Sequence, residues 1–275
     1  MEKSQERLKI LEKISSLEKA GKFDIDVEDD PETRPLLPHQ IDYLNKKLSR
    51  KIANFFANRI GTAFFENQIK NKQLIIKEVR GIENFLAVEG GALITSNHFN
   101  VNDNYAIWRV IKPYMGKKKL WKVIREGNYT NAPKGFGTIL RNCNTLPLSS
   151  NTETMKKFMS AISTLLDRGE KILIYPEQAM WWNYRKPRPH KKGAYRLAVN
   201  NNVPVIPAFI TMEDSEIIGG DGFPVQEYTI HFLPALYPKT DLNKAQNAQY
   251  LQTENERLCK ETYESFYGIP LTYEK

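Results

Sequence analysis

The first seventy residues carry two helical patterns of apolar positions with a polar connector between them. The first pattern consists of Leu8, Leu11, Ile14 and Leu17, spaced as on one face of a helix. Gly21 ends this pattern, and residues 24–38 are acidic and interrupted by prolines. The sequence therefore predicts an N-terminal helical arm and an acidic linker, which together span residues 1–38.

A second apolar pattern runs from residue 40 to residue 70 and is accompanied by basic residues. Its apolar positions are Ile41, Leu44, Leu48, Ile52, Phe55, Phe56, Ile60, Phe64 and Phe65, and its basic positions are Lys46, Lys47, Arg50, Lys51 and Arg59. A basic amphipathic helix with phenylalanines is typical of a segment lying at a lipid interface. The same pattern also suits a helix that packs on a core and turns a charged face to water. We predict an amphipathic helical, membrane-associating segment over residues 39–72, kinked or split at Gly61.

From residue 74 onward, short apolar runs alternate with helical patterns. The predicted strands lie at residues 92–95, 120–124, 145–148, 172–175, 205–210 and 228–232. The predicted helices lie at residues 103–112, 135–142, 152–167, 193–200 and 242–266. Alternation of this kind is typical of a sheet whose strands are joined by crossover helices. It predicts an α/β domain over residues 73–275.

Length and composition are those of an ordinary globular protein. The chain has 275 residues, of which 41% are hydrophobic and 26% are charged. No run reaches the roughly 18 apolar residues that a membrane-spanning helix needs, and the first residues lack the apolar core of a secretory signal. We therefore expect a cytosolic or peripheral protein. Cys143 and Cys259 are far apart and outside any CxxC motif, so neither a disulfide framework nor a zinc site is indicated.

The charge of the chain implies an anionic partner. Its formal net charge is +8 at pH 7, and many of the basic residues lie in residues 46–59 and 185–192. Net charge alone does not separate a nucleic acid, an anionic lipid surface and a phosphorylated small molecule. The class of partner therefore depends on the motifs in which these cations occur.

A histidine and a carboxylate, His98 and Asp103, follow the first predicted strand of the α/β domain. Histidine exchanges protons near neutral pH, and a carboxylate bound to its second ring nitrogen fixes the tautomer and the ring orientation. Five residues turn a helix by about 500°, so the two side chains cannot share one helical face. We expect His98 in the turn before a helix, Asn100 or Asn102 at its N-cap, and Asp103 in its first turn. The alternative is an exposed histidine beside an ordinary capping acid.

The segment after the strand at 172–175 is the second candidate for chemistry. The segment that leaves the carboxyl end of a strand lines the ligand crevice of an α/β sheet, so this segment and His98 are expected at the same edge. Arg185, Arg188 and the neighbouring lysines are candidates for binding a phosphate. A solvated basic surface is the alternative. The aromatic residues beside them are Trp181, Trp182 and Tyr184, which suit either a lipid interface or a platform for stacked bases.

Taken together, residues 83–211 resemble the 1-acyl-glycerol-3-phosphate acyltransferase family, a family of glycerolipid acyltransferases. The matching blocks, in the order of the family, are Asn97-His98 with Asp103, residues 135–148, Tyr175-Pro176-Glu177 with Lys191-Lys192-Gly193-Ala194, and Val203-Pro204-Val205-Ile206-Pro207. The resemblance implies an α/β fold of the glycerol-3-phosphate acyltransferase type. Such a fold has a mixed, largely parallel sheet flanked by helices, here with an N-terminal amphipathic helical segment.

The resemblance implies an O-acyltransferase of the 1-acylglycerol-3-phosphate type, active in phospholipid biosynthesis. Such an enzyme moves a fatty acyl group from an acyl thioester, acyl-CoA or acyl-ACP, to a hydroxyl of a lysolipid. The acyl thioester is its donor substrate, and no cofactor is expected. His98 is then the general base, Asp103 orients it, and Glu177 holds the following loop. Backbone N–H groups of residues 178–180 are candidates for stabilising the oxyanion. No metal is expected.

Two departures from the family pattern concern the acceptor. The family's Phe-Pro-Glu-Gly-Thr-Arg block has Gln, Ala and Met at positions 178–180 here, and Ser150 stands where an arginine ends its second block. Both arginines expected to bind the acceptor's phosphate are therefore missing. The candidate substrate-binding residues that remain are Asn97, Arg125, Arg141, Gln178, Arg185 and Lys186. Either these cations rebuild a phosphate site or the acceptor is a glycolipid or another lysolipid without a glycerol phosphate.

The same reasoning gives a location and a set of partners. We expect a peripheral protein on the cytoplasmic face of a membrane, held at an anionic surface by the segment 39–72 and the tryptophans. The expected partners are acyl-CoA or acyl carrier protein and a lysolipid, with no nucleic acid. The alternatives are a basic nucleic-acid-binding module, which leaves His98 and Asp103 without a role, and a hydrolase that passes the acyl group to water.

Overall fold

The computed structural model describes residues 2–28, 33–131 and 135–274, so residues 29–32 of the predicted acidic linker lie outside the described residues. The strands are β1 (Ile75–Arg80), β2 (Ala92–Thr95), β3 (Leu120–Ile124), β4 (Thr145–Pro147), β5 (Lys171–Ile174), β6 (Val205–Ile218) and β7 (Pro224–Phe232). The helices are α1 (Gln5–Lys19), α2 (Leu48–Lys70), α3 (Ile82–Leu86), α4 (Asp103–Ile111), α5 (Glu126–Thr130), α6 (Phe136–Leu140), α7 (Thr152–Asp167), α8 (Gly193–Asn200) and α9 (Lys244–Tyr267).

The seven strands of the described residues form one mixed sheet in the order β1-β7-β6-β2-β5-β3-β4. From β6 to β4 the neighbouring strands are parallel, whereas β7 is antiparallel to β6 and parallel to β1. The predicted fold class is confirmed. Because β2, β5 and β3 run in the same direction, the segments that leave their carboxyl ends meet at one edge of the sheet.

The core lies on both faces of the sheet. Every residue of β2 is buried, since helices cover the strand on either side. On one face, α3 and α4 pack with Phe85, Tyr105 and Ile107, and on the other α7, α8 and α9 pack with residues such as Phe158 and Leu251. This double cover explains why the central strands appear in the sequence as unbroken apolar runs rather than as alternating ones.

Several elements differ from the sequence-based expectation. α2 runs unbroken through Gly61, so the predicted split is wrong, and the kink stays a prediction. A side chain at this position would meet Cys143 and Ile139 of the neighbouring region. β6 extends to Ile218 because its outer half pairs with β7 beyond the core. β1, α3 and α5 were not predicted, since β1 is largely exposed and both helices have only five residues.

The N-terminal arm packs on the segment that follows β5. Ile10 and Ile14 of α1 form an apolar cluster with Trp181 and Trp182, which are 0% and 6% exposed. The Trp181 indole N–H donates to the carbonyl of Ile25 at 2.8 Å. This burial contradicts the prediction that the two tryptophans lie at a lipid interface, and it also removes the stacking platform on which a nucleic-acid-binding module would depend.

α2 turns a row of large apolar side chains to the outside. The exposed ones are Leu48, Ile52, Phe55, Phe56, Ile60 and Phe64. On the inward side, Asn54 and Ala57 are buried, and Phe65 and Ile69 are half-buried against the core. Within the described residues, no helix combines the length and the apolar character that crossing a bilayer requires.

Candidate functional site

His98 lies in the turn between β2 and α4, at the carboxyl edge of the sheet. Its Nδ1 is 2.7 Å from Oδ2 of Asp103, the first residue of α4, and Asn102 occupies the N-cap position. The predicted placement of the pair across the start of a helix is confirmed. The His98 side chain keeps 21% of its surface exposed, whereas the Asp103 side chain is fully buried.

The Asp103 carboxylate is surrounded by hydrogen-bond donors. Besides the imidazole, Oδ2 accepts from the backbone N–H groups of Phe99 at 3.1 Å and Asn100 at 3.3 Å. Oδ1 accepts from the Tyr175 hydroxyl at 2.5 Å. These four donors satisfy both oxygens of the buried carboxylate. It holds the imidazole with the proton on Nδ1, which leaves the lone pair of Nε2 facing outward as a base.

Tyr175 is the residue that sequence reasoning missed. Its ring stacks on the His98 ring, with 4.0 Å between centroids and 15° between planes. Burial raises the pKa of the Tyr175 hydroxyl well above its usual value, and the charge of Asp103 raises it further. The hydroxyl therefore stays protonated and donates to Asp103. The available signal was the tyrosine itself, which stands where the resembling family has phenylalanine.

Glu177 and Arg188 form a buried ion pair behind the turn of His98. Glu177 Oε2 lies 2.7 Å from Arg188 Nη2, and the two side chains are 2% and 1% exposed. Glu177 accepts from the His98 backbone N–H at 3.1 Å, and Arg188 donates to the His98 carbonyl at 3.1 Å. The pair thus fixes both backbone groups of His98. Glu177 is a positioning residue, and Arg188, a predicted phosphate ligand, is occupied inside the protein.

The loop after Glu177 runs along the turn of His98. The N–H of Trp181 donates to the His98 carbonyl at 3.1 Å, and that of Asn183 donates to the Phe99 carbonyl at 2.9 Å. Gln178 has a φ of +68°, a conformation that costs a residue other than glycine about 1–2 kcal/mol. The resembling family has glycine at this position, and the same backbone conformation strains the glutamine here.

The backbone N–H groups expected to bind an oxyanion are only partly available. The N–H of Gln178 donates to the Tyr175 carbonyl at 3.1 Å, and that of Ala179 donates to the Glu177 carbonyl at 2.9 Å. For the N–H of Met180, no acceptor is recorded in the described parts of the chain. Of the three predicted donors, Met180 is therefore the one that remains available.

Asn97 does not face a ligand. Its amide nitrogen donates to the carbonyl of Ile210 and its amide oxygen accepts from the N–H of the same residue, both at 2.9 Å. The side chain is buried and extends the pairing of β2 with β6 past the end of the strand. This contradicts the prediction that Asn97 binds substrate; it holds the turn of His98 against the sheet.

The cations predicted to rebuild a phosphate site are engaged by protein groups. Arg125 pairs with Asp26 at 2.6 Å, Arg141 donates to the Tyr129 carbonyl at 3.1 Å, Arg185 pairs with Asp214 at 2.6 Å, and Lys186 pairs with Glu18 at 2.6 Å. These four acceptors lie on four different segments: the arm after α1, α5, β6 and α1 itself. The structure does not bring the four cations to a common acceptor.

The arrangement around His98 can remove a proton from a bound hydroxyl. The nearest hydroxyl in sequence, that of Ser96, is buried and donates to the Asn97 amide oxygen at 3.4 Å rather than to the imidazole. The hydroxyl that Nε2 deprotonates is thus expected to come from a bound molecule. Among the described residues, no group of three or more His, Cys, Asp and Glu side chains is placed to hold a metal ion.

Comparison with known proteins finds a family model that matches the part of the chain containing this site. Residues 76–211 match the family model described as Acyltransferase. Among solved structures, the chain is similar to the 1-acyl-sn-glycerophosphate (LPA) acyltransferase PlsC from Thermotoga maritima, with 17% sequence identity, a TM-score of 0.49 and coverage of 81% of each chain. No curated protein sequence matches the chain.

The buried ion pair between Glu177 and Arg188 is expected to stabilise the folded protein. Replacing Arg188 with methionine leaves the Glu177 carboxylate buried without its partner, and such a loss costs about 3–5 kcal/mol of unfolding free energy. Urea unfolding of Arg188→Met measures it. The control is Arg257→Met, whose partners Glu254 and Glu261 lie on the exposed surface of α9, so that stability is expected to change little. Equal losses in the two variants would contradict the assignment.

Proposed function

Because this chain belongs to the acyltransferase family, we propose that it transfers a fatty acyl group from an acyl thioester, acyl-CoA or acyl-ACP, to a hydroxyl of a lysolipid. The observation that carries this proposal is the 2.7 Å contact between His98 Nδ1 and Asp103 Oδ2, within the matched region. That contact makes Nε2 a base at the edge of the sheet where α/β proteins bind ligands.

In the proposed reaction, His98 Nε2 accepts the proton of the acceptor's hydroxyl while the oxygen attacks the thioester carbonyl. The tetrahedral intermediate then collapses, the bond between carbon and sulfur breaks, and the departing thiolate takes the proton from the imidazolium. Asp103 stabilises the imidazolium between the two steps. The acceptor's alcohol takes the place that a serine has in serine hydrolases. The N–H of Met180 is our candidate donor to the oxyanion.

The acceptor in this proposal is a lysolipid of membrane-lipid biosynthesis. The family resemblance implies 1-acyl-glycerol-3-phosphate. The pairing of Arg185 with Asp214 and of Lys186 with Glu18 supports the alternative, an acceptor without a phosphate. A hydrolytic reaction would instead release free fatty acid without any acceptor, which a thioester assay distinguishes directly.

We further propose that the protein works as a peripheral protein on the cytoplasmic face of a membrane, with α2 lying on an anionic lipid surface. The outward side of α2 carries the apolar row described above, while its inward side is fixed by polar contacts. The Asn54 amide donates to Asn144 Oδ1 at 2.8 Å, and Lys119 donates to Asn54 Oδ1 at 3.2 Å. The second half of α2 packs on the core through Phe65 and Ile69. A helix that is held on the protein in this way and presents a row of other large apolar side chains to the outside has the orientation that a lipid interface requires.

The role of His98 predicts the effect of two substitutions on acyl transfer. His98→Ala is expected to lower the turnover of acyl thioester about 10²–10⁴-fold with the fold intact, because it removes the base. Asp103→Asn is expected to cause a loss of similar size, since it changes the tautomer that the imidazole adopts. Release of free thiol and formation of acylated lipid measure both effects. His39→Ala, at an exposed histidine, is the control, and an active His98→Ala variant would refute the mechanism.

The hydroxyl of Tyr175 predicts an effect on stability. Tyr175→Phe keeps the ring on His98 but leaves Oδ1 of the fully buried Asp103 without its donor. Loss of a donor to a buried acceptor costs about 1–3 kcal/mol of unfolding free energy, which urea unfolding measures. The control is Tyr237→Phe, at an exposed tyrosine, where the unfolding free energy should change by less than about 0.5 kcal/mol. Equal losses in the two variants would contradict the role of this hydroxyl.

The orientation of α2 predicts which apolar residues control membrane binding. The double variant Ile60→Ser and Phe64→Ser is expected to weaken sedimentation with vesicles of phosphatidylglycerol and phosphatidylcholine at least about tenfold, because each side chain contributes roughly 1.5–3 kcal/mol when buried. Its unfolding should not change, since both side chains are exposed. The control is Ile218→Ser with Tyr237→Ser, at equally exposed positions elsewhere. If both double variants sediment alike, α2 is not the lipid-binding surface.

A further inference from the structure

The N-terminal arm supplies negative charge to the basic segment that follows β5. Glu18 of α1 pairs with Lys186 at 2.6 Å, and its side chain is only 4% exposed. Asp24 of the arm pairs with Lys191 at 2.6 Å. Arg188 is paired inside the protein with Glu177. Lys186, Arg188 and Lys191 are thus already paired with carboxylates of the same chain. Lys192, at the end of this basic run, is exposed and has no ion pair among the described residues.

The rim around His98 is lined instead by uncharged amides. The Asn100 amide donates to Asn183 Oδ1 at 3.4 Å, which joins the turn of His98 to the loop after β5. Gln178, in the same loop, is exposed. Asn102 Oδ1 is buried and has no hydrogen-bond partner within the part of the chain that the structure describes. Amides both donate and accept, and they therefore suit hydroxyl groups, which do the same.

Gln178 is the member of this rim whose presence is hardest to explain by folding. Its φ of +68° favours glycine, and its exposed side chain makes no hydrogen bond to the described residues. Residues kept in such conformations cluster at ligand-binding positions. Its side chain also follows directly after Glu177, which is bonded to the His98 backbone. An exposed amide therefore lies one residue along the chain from the contact that fixes the His98 backbone.

We infer that the acceptor carries an uncharged, hydroxyl-bearing headgroup, bound by the amides of Gln178, Asn100 and Asn183, and not a phosphate. This inference rests on the proposed function and names the substrate class of the same site. A glycerol or sugar headgroup has the required chemistry. The amides exchange hydrogen bonds with its hydroxyls, and one further hydroxyl is presented to His98.

The test compares acceptors that share an acyl chain and differ in the headgroup. The probes are 1-oleoylglycerol, its monoglycosyl derivative and 1-oleoylglycerol 3-phosphate, each in phosphatidylcholine vesicles with oleoyl-CoA and oleoyl-ACP as donors. We expect kcat/KM for at least one neutral acceptor to exceed that for the phosphate at least tenfold. Equal or better use of the phosphate would overturn this inference alone. Failure of all three acceptors would overturn the proposed function together with it.

Substitution of Gln178 separates binding from folding. Gln178→Gly relieves the backbone and is expected to raise Tm by about 2–4 °C, yet to raise KM for the neutral acceptor at least fivefold. Gln178→Asn, which keeps an amide, is expected to recover most of that loss. The matched control is Asn202→Gly, at an exposed position with a φ of +49° at the opposite edge of the sheet, where only Tm should rise. An unchanged KM in Gln178→Gly would show that the amide rim does not bind the headgroup.

Discussion

The buried ion pair between Glu177 and Arg188 is the contact on which the rest of the site depends. It bonds both backbone groups of His98, and Arg188 also donates to the Phe23 carbonyl of the N-terminal arm. Three segments distant in sequence are thereby joined at one point. Two buried charges are stable there only because each is surrounded by several hydrogen-bond partners. The position of the imidazole is consequently set by the loop after β5 as much as by its own strand.

The basic residues of the chain form two groups with different surroundings. Near His98, cations face carboxylates of the same chain, such as Lys186 with Glu18 and Arg185 with Asp214, so they stabilise the packing of the arm and the loop. At the start of α2, by contrast, Lys46, Lys47 and Lys51 are exposed beside the apolar row. The net charge of +8 is therefore best understood as a property of the surface, not of the site where chemistry is expected.

The site combines contacts between residues that are close in sequence with contacts between residues that are far apart. The contact of His98 with Asp103 spans five residues and requires only the turn before α4. The hydroxyl of Tyr175 reaches the same carboxylate from 72 residues away, and it does so because β5 lies beside β2 in the sheet. The Tyr175 hydroxyl thus adds a donor to the fully buried Asp103 carboxylate. Its effect on the His98 imidazole depends on the pairing of β5 with β2 in the sheet.

The sequence by itself determined those features that arise from local patterns. The bounds of β2, β3, α7 and α8, and the pairing of His98 with Asp103, were predicted because hydrophobic periodicity, caps and short motifs are encoded within a few residues. The partners that Trp181, Asn97 and Lys186 contact were decided only by the tertiary structure. Their partners lie more than 100 residues away in the chain, and no local pattern shows whether a basic or aromatic side chain will meet solvent, a ligand or its own N-terminal arm.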